Sequence, residues 1–499
     1  MPRRVLPRSG PNRMGDEAVV SVKTRRCARS RPRDRRHCGG LKAASLLSAV
    51  ALGVSASASV ADMSAVRAAP RAGASLAPSP APELIPAIPA TTFEGGRPLS
   101  PLNAPAFDAN GDVFIAWTEP VGATPEAVLP ELRIRATMRP ADGRWQPAET
   151  LSRMGLNPEV TADARGEAIA TWEGRSDVEA SIKPVGGGWL APQTVGTPRG
   201  EEPEEPQVAS DASGDAIVVA PRQAHRREST GIEAAARPAG GVFTPPQTIS
   251  HHRENALDPR IAMNSRGDAI VAWDVEGPTG CLIRAAFRSP GGAWGATRTI
   301  SGGHVFCRGN HTVAIDERGD AIVAWVAMRD STMLVKTARR DANGRWSAQR
   351  VIGRASAVAE PPGAAHVGMD ARGDETVLWT DPARVLGGRR TVWARVRPVG
   401  RRWGAKQRIA DVTYESSPSF AMNARGDASV VWEDKRGVEV ASAPAGGRWQ
   451  KPTTVSDRKS AEIAFEAVPV VALDARGDAM IAWQSHENIK TAWHAPLSP

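Results

Sequence analysis

One short segment recurs eight times along this chain, about every fifty residues. Each copy has Asp or Asn, two variable residues, Gly and an acidic residue, and apolar residues follow. A sequence period of this length indicates stacked supersecondary units that share a continuous core. The copies begin at Asp108, Asp163, Asp211, Asn264, Asp316, Asp370, Asn423 and Asp474.

The repeat spanning residues 259 to 301 shows the plan of one unit. Its segment Asn264-Ser265-Arg266-Gly267 predicts a tight turn, because Asn bonds its own backbone and Gly adopts the left-handed conformation. Apolar runs on either side of this turn and of Ser-Pro-Gly-Gly predict strands. The four strands are predicted at Pro259–Met263, at Ala269–Trp273, at Leu282–Arg288 and from Trp294 onward.

Four antiparallel strands per repeat, with short turns and no helical periodicity, are typical of a β-propeller blade. Only seven fourth strands follow the eight third strands, because the chain stops at Pro499, just after Ile489–His494. The missing strand is predicted at Phe93–Ser100, which has the spacing of residues 145–152. We therefore predict an all-β, eight-bladed β-propeller of four-stranded antiparallel blades over residues 91–496, closed by an N-terminal strand that completes the last blade.

Tryptophans recur at the end of the second strand of seven repeats. Residues that recur at one position in nearly every blade usually pack blade against blade, so we expect core residues here rather than sugar-binding surfaces. The seven are Trp117, Trp172, Trp273, Trp325, Trp379, Trp432 and Trp483, and Ala220 takes this place in the third repeat.

The N-terminal region predicts export. A basic leader runs into the uncharged stretch from Ala43 to Ala61, which is typical of a secretory signal peptide over residues 1–61. Residues 62–90 are rich in Ala and Pro and predict a flexible linker. We expect a secreted or extracytoplasmic protein of a high-GC bacterium, with no transmembrane segment in the mature chain, because no later segment is long and apolar enough.

The positive charge is concentrated in the leader. Residues 1–61 carry thirteen Lys or Arg and three acids, a surplus of ten, and the whole chain has a net charge of +9. Subtracting this surplus from the total, 9 − 10, leaves a net charge of about −1 for the residues after 61. A nearly neutral body has no electrostatic footprint for a polyanion, so the sequence predicts no nucleic-acid partner.

Cysteine usage predicts one disulfide. Cys27 and Cys38 lie in the leader, which leaves Cys281 and Cys307 in the mature chain. Two thiols in an exported protein suggest a bond between them. Both cysteines follow strands that end on the same side of one repeat, which makes this bond geometrically reasonable.

The loops of uneven length all fall on one side of the predicted ring, and binding usually resides in variable loops on a rigid scaffold. This side is the predicted interaction face. No tight metal-ligand spacing occurs there, and the sequence predicts no metal and no cofactor. The candidate ligand-binding residues on this face are His251, His252, His304, His311 and Tyr414.

The repeat resembles, at a distance, the bacterial sialidase and Asp-box group of propellers. Residues 316–325 contain the Asp, Gly and Trp of that box, but Asp316 and Gly319 are three apart rather than two. The resemblance implies a Tyr nucleophile with a Glu base, which Tyr414 and Glu415 could supply. Sialidases are six-bladed and also need an arginine triad, which cannot be assigned in this sequence.

These features predict an exported, monomeric, non-enzymatic binding or scaffold propeller. Its partner is expected to be a carbohydrate or a cell-surface protein, bound through the variable loops. The alternative is a sialidase-like glycoside hydrolase, because a shared fold says little about chemistry.

Overall fold

The computed structural model describes most of the chain between residues 102 and 495, together with a short N-terminal strand, and all of these residues belong to one compact unit, Ala51–Pro499. They form 32 strands in eight four-stranded antiparallel sheets, which confirms the predicted all-β propeller. The described ranges are 83–84, 102–121, 131–175, 177–196, 205–223, 230–251, 254–277, 280–302, 305–307, 309–356, 363–385, 387–413, 416–456, 468–485 and 488–495.

The first four blades follow one another along the chain. Blade 1 contains β2 (Ala106–Phe107), β3 (Val113–Val121), β4 (Glu131–Arg139) and β5 (Glu149–Ser152). Blade 2 contains β6 (Leu156–Ala162), β7 (Ala168–Glu173), β8 (Val178–Lys183) and β9 (Gln193–Thr194). Blade 3 contains β10 (Gln207–Ser210), β11 (Ala216–Gln223), β12 (Thr230–Arg237) and β13 (Gln247–Thr248). Blade 4 contains β14 (Ala256–Met263), β15 (Ala269–Gly277), β16 (Gly280–Arg288) and β17 (Arg298–Thr299).

The remaining blades repeat this order, and the last one takes a strand from the N-terminal region. Blade 5 contains β18 (His311–Ile315), β19 (Ala321–Arg329), β20 (Thr332–Arg340) and β21 (Arg350–Ser356). Blade 6 contains β22 (Ala365–Met369), β23 (Glu375–Asp381), β24 (Arg390–Arg397) and β25 (Gln407–Val412). Blade 7 contains β26 (Ser419–Met422), β27 (Ala428–Asp434), β28 (Gly437–Ala443) and β29 (Thr453–Thr454). Blade 8 contains β30 (Val470–Leu473), β31 (Ala479–Ser485), β32 (Asn488–His494) and β1 (Glu83–Leu84).

The ring closes between blade 1 and blade 8. Trp145 Nε1 donates to Thr491 Oγ1 across this junction at 3.2 Å, and the Phe107 and Trp493 rings lie with centroids 5.8 Å apart. Leu102 of blade 1 belongs to the same buried cluster as residues of β30 and β31. The junction is therefore a packed core.

An N-terminal strand completes blade 8, as predicted, but its position differs from the predicted one. β1 pairs with β32 through Glu83↔Thr491 and Leu84↔Lys490, whereas Phe93–Ser100 lies outside the described residues. The fourth strands also differ from prediction, since each begins four residues after its aromatic residue, as in Trp189 and Gln193 of blade 2. In blades 4 and 5 the aromatic residue itself forms one isolated bridge to the end of the third strand, Arg288↔Trp294 and Arg340↔Trp346, before the continuous strand begins.

The Asp-x-x-Gly segments form hairpin turns with one repeated bonding pattern. In blade 5, Asp316 Oδ1 accepts from the backbone nitrogens of Arg318 and Asp320, both at 2.9 Å. Gly319 has a φ of 86°, a backbone conformation that a residue with a side chain adopts only under strain. The predicted turn chemistry is confirmed.

These turns and the Pro-x-Gly-Gly turns lie on one rim of the ring, which we call the turn rim. Asp320 Oδ1 accepts from Ala342 N at 2.7 Å, which ties the two turns of blade 5 together. Arg318 Nη2 donates to Arg372 O of blade 6 at 2.7 Å and pairs with Asp316. The arginine of this Arg-Gly-Asp tripeptide thus joins neighbouring blades. The opposite rim, with the loops of uneven length, is the loop rim.

The recurring tryptophans are core residues, as predicted. All seven are at least 95% buried, and each belongs to a buried cluster formed by the sheets of two adjacent blades. Burial of one indole removes roughly 200 Å² from water, so these side chains are a main source of cohesion around the ring.

The contacts between turns predict a position-specific cost of adding one methyl group. Gly373 has a φ of 93°, and a Cβ there would press on Arg318 Nη2 and lie 2.8 Å from Asp316 Oδ2, both of the preceding blade. Gly446 also has a positive φ, 68°, but no atom lies within 4 Å of its added Cβ. We expect Gly446→Ala to cost about 1 kcal/mol and Gly373→Ala roughly 1–2 kcal/mol more. Thermal unfolding of both variants tests this, and equal losses would refute a role for the contact between blades.

Candidate functional site

The predicted ligand-binding residues do not form one described site. His251 is exposed on the loop rim, whereas His252, His304, Tyr414 and Glu415 lie outside the described residues. His311 is the first residue of β18 and is fully buried. This burial removes His311 from the loop surface on which it was predicted.

His311 belongs to a polar contact between blades 4 and 5. Its Nδ1 lies 3.2 Å from Asp274 Oδ1, and its Nε2 lies 3.2 Å from Ala272 O. Asp274 Oδ2 also accepts from Gly309 N at 3.1 Å. Each ring nitrogen faces an oxygen inside the protein, so the geometry describes a structural contact between blades.

The predicted disulfide is present on the loop rim. Cys281 and Cys307 are bonded, with their Cα atoms 5.2 Å apart. Val305, two residues before Cys307, forms backbone bridges to Cys281 of blade 4 and to Ala327 of blade 5. One short segment therefore joins these two blades by covalent and hydrogen bonds.

A buried charged cluster lies where the inner strands begin. Arg260 is 96% buried, and its Nη2 lies 3.7 Å from Glu205 Oε2. Burial raises the pKa of Glu205, while Arg260 lowers it. Burial, together with the charge of Arg260, lowers the pKa of His366 to about 4. Because Arg260 and His366 are both buried, the cluster offers little surface to a ligand.

A strongly charged, exposed groove lies between the outer strands of blades 5 and 6, on the turn rim. Its volume is about 480 Å³. Trp346 and Trp403 line it, and each tryptophan also packs against a buried cluster between blades. We call it the 5/6 groove; six arginines line it, namely Arg339, Arg345, Arg350, Arg397, Arg401 and Arg402.

The charge of the 5/6 groove is strongly positive. At its base, the buried Glu375 accepts from Arg397 Nε at 2.5 Å and from Arg397 Nη2 at 3.0 Å, and it also pairs with Arg339. Asp341 is the only carboxylate in the described lining. The six arginines carry six positive charges, and Glu375 and Asp341 carry two negative charges, which leaves a surplus of four positive charges.

Four of these arginines face solvent. The side chains of Arg345, Arg350, Arg401 and Arg402 are exposed, and among the described residues their guanidinium groups have no ion-pair partner. A guanidinium group presents a planar fork that matches a carboxylate or sulfate with two hydrogen bonds. The half-buried indoles beside them offer flat apolar faces. The 5/6 groove can therefore bind a ligand that has both negative groups and flat rings.

Sequence reasoning missed this groove because the charge was summed over the whole body. Residues 395–408 contain six Lys or Arg and no acid, and residues 339–354 contain five Arg and one acid. A local count would have found both segments. Their meeting in space follows from the fold, because both segments join the third and fourth strands of adjacent blades.

No metal centre or membrane span is found in the described part of the chain. No group of three or more His, Cys, Asp and Glu residues there is arranged to hold a metal ion. The described ranges also contain no helix that could cross a bilayer.

No protein-family model and no curated protein matches this chain. Among solved structures it is similar to a polysaccharide lyase, with 9% identity, a TM-score of 0.44, and coverage of 82% of this chain and 94% of that chain. An α-L-arabinofuranosidase from Fusarium graminearum has 10% identity and a TM-score of 0.37, covering 68% and 92%. A leech intramolecular trans-sialidase has 7% identity and a TM-score of 0.36, covering 80% and 93%. At these values the likenesses carry no argument about function.

The buried His366 predicts a specific dependence of stability on pH. Its folded-state pKa of about 4 is below the ordinary value of 6.5, so the unfolded chain binds its proton first as the pH falls. Stability is therefore lost between pH 6.5 and 4, by up to about 3 kcal/mol from this residue. We expect His366→Phe to reduce this loss in chemical denaturation across that range. The exposed His251→Phe is the control, and equal slopes in all three proteins would contradict the assignment.

Proposed function

We propose that this protein is an exported binding propeller that recognises an acidic carbohydrate in the 5/6 groove. The observation that supports this proposal is the set of four exposed guanidinium groups beside Trp346 and Trp403. Export rests on the sequence of residues 1–61 and is part of the proposal.

The arginines favour an anion, and the tryptophans favour a ring. Arginine binds carboxylate and sulfate groups through paired, charge-assisted hydrogen bonds. An indole held at its inner edge by core packing is a rigid surface, so little side-chain entropy is lost when the C–H face of a sugar ring packs on it. Uronic acids and sulfated sugars combine both features in one unit.

A carbohydrate fits the groove better than a nucleic acid does. Asp341 and Ser347 lie in the lining among the arginines and supply hydrogen-bond acceptors. Sugar hydroxyl groups can donate to them. A phosphodiester backbone offers no such donors, and a carboxylate in the groove repels it. The ligand that satisfies both kinds of group is an acidic sugar with free hydroxyls.

The lining supports binding rather than hydrolysis. Glycoside hydrolysis commonly needs two carboxyl groups about 5–10 Å apart, on either side of the scissile bond. In the described lining only Asp341 supplies one, and Glu375 is held below it by two arginines. The sialidase-like alternative depends instead on Tyr414 and Glu415, so a hydrolysis assay of a Tyr414 variant distinguishes it from binding alone.

Charge removal at matched positions tests the proposal. We expect the full chain to bind oligogalacturonides in calorimetry at low salt and to ignore neutral malto-oligosaccharides. Arg401→Gln with Arg402→Gln should weaken binding about tenfold or more, because two charge-assisted contacts are lost. The control is Arg144→Gln with Arg448→Gln, which removes two exposed arginines from the same kind of turn in blades 1 and 7.

Three results would overturn the proposal. The first is an affinity unchanged by Arg401→Gln with Arg402→Gln, and the second is an equal loss in the control variant. The third is a stronger preference for a single-stranded oligonucleotide of matched charge, which would indicate a nucleic-acid groove. Release of reducing ends from the oligogalacturonide that disappears in Tyr414→Phe would instead establish the hydrolase.

A further inference from the structure

A second groove lies next to the 5/6 groove, between the outer strands of blades 4 and 5. We call it the 4/5 groove, and its volume is about 570 Å³. Its lining includes Arg298, Arg340, Phe287 and Trp346. No acidic residue occurs in its described lining. Its charge therefore has the same sign as that of the 5/6 groove.

The two grooves share one wall. Trp346 lines both, and it stands between them at the start of the outer edge of blade 5. Both grooves are formed by equivalent segments of consecutive blades, so they lie side by side on the turn rim. A ligand that leaves one groove past Trp346 enters the other.

The surface of the 4/5 groove is fixed in place and open. The Arg340 guanidinium group stacks on the Phe287 ring at 3.4 Å from its centroid and donates from Nη1 to Asp341 O at 3.2 Å, and both contacts orient its charge. The remaining lining is dominated by small residues, among them Ala293, Gly295 and Ala296. Small residues leave an unobstructed floor along which an extended chain can lie.

We propose that the 4/5 and 5/6 grooves form one continuous track, and that the ligand is an acidic polysaccharide long enough to occupy both at once. This proposal rests on the proposed function and extends it from a class of sugar to a polymer. Arg298 and Arg340 bind one stretch of the chain, the arginines of the 5/6 groove bind the next, and Trp346 contacts the sugar between them.

The energetic consequence is a step in affinity with ligand length. A short oligomer fills one groove only. Once a ligand spans Trp346, its second contact becomes intramolecular, with an effective concentration in the millimolar range for closely spaced sites. Affinity should rise by about tenfold or more at that length and change little beyond it.

A ladder of oligogalacturonides of increasing length tests the track. We expect Arg298→Gln to leave short oligomers unaffected and to lower the affinity of long oligomers by about fivefold to tenfold. Ala296→Phe, which blocks the floor of the 4/5 groove without changing charge, should have the same selective effect. The control is Gln247→Glu, which makes the same change of one charge at the equivalent exposed strand position of blade 3.

The outcomes separate the two proposals. If affinity rises smoothly with length, and Arg298→Gln and Ala296→Phe leave long oligomers unaffected, the track is wrong while the 5/6 groove stands. If Arg401→Gln with Arg402→Gln changes the affinity for neither short nor long oligomers, the proposed function is wrong, and the continuous track, which rests on it, is wrong as well. If Gln247→Glu weakens long oligomers as much as Arg298→Gln does, the length effect is nonspecific and the track is also wrong.

Discussion

The bonds that the turn side chains make hold the ring in register. In each turn an Asp or Asn oxygen accepts two backbone N–H groups of its own hairpin, as Asp370 does from Arg372 and Asp374. The same turns reach the next blade through a side chain, since Asn264 Nδ2 donates to Asp316 O at 2.9 Å. Local turn chemistry and contact between blades therefore depend on the same residues. This explains why so short a segment recurs with so little change.

A propeller must also satisfy the free backbone edge of every inner strand, because those strands have no hydrogen-bonded neighbour on the inner side. Side chains of the preceding blade perform this task at several of the described inner strands. Glu159 Oε2 accepts from Val208 N at 3.1 Å, and Thr312 Oγ1 accepts from Val367 N at 2.9 Å. Buried polar residues near the centre of the ring therefore have a structural explanation, whereas the exposed arginines of the outer grooves do not.

The sequence predicted the features that repeat around the ring, and of the features that occur once it predicted the disulfide but misplaced the closing strand. The turns and the buried tryptophans could be predicted because each recurs at a fixed spacing, and the number of repeats gave the number of blades. The disulfide was predicted because only two cysteines follow residue 61. The closing strand was misplaced because an aromatic residue, Phe93, served as its marker. Pro82-Glu83-Leu84-Ile85 has the Pro-x-x-apolar pattern of Pro192–Val195 without any aromatic residue before it.

The candidate site was harder to predict, for two physical reasons. His311 was assigned to a loop because a strand boundary shifted by one residue decides whether a side chain faces solvent or the next blade. The 5/6 groove depends on the pairing of two segments that belong to different repeats, 339–350 and 397–403. Their charges are balanced elsewhere in the body, so a net charge near zero conceals a strongly polarised surface.

The seam between the first and last blades has a consequence for how this ring tolerates change at its ends. Two residue pairs join β1 to β32, the same number that joins the outermost strand of blades 2, 3, 4 and 7 to its neighbour. Blades 1 and 8 also share a buried cluster of the same kind as every other neighbouring pair. Side-chain packing between blades 1 and 8 therefore closes the ring, and β1 only covers the outer edge of β32. We therefore expect the propeller to tolerate circular permutation, in which the present termini are joined and new termini are opened in another loop. The reason is that packing between blades, and not the pairing of a terminal strand, holds the ring closed.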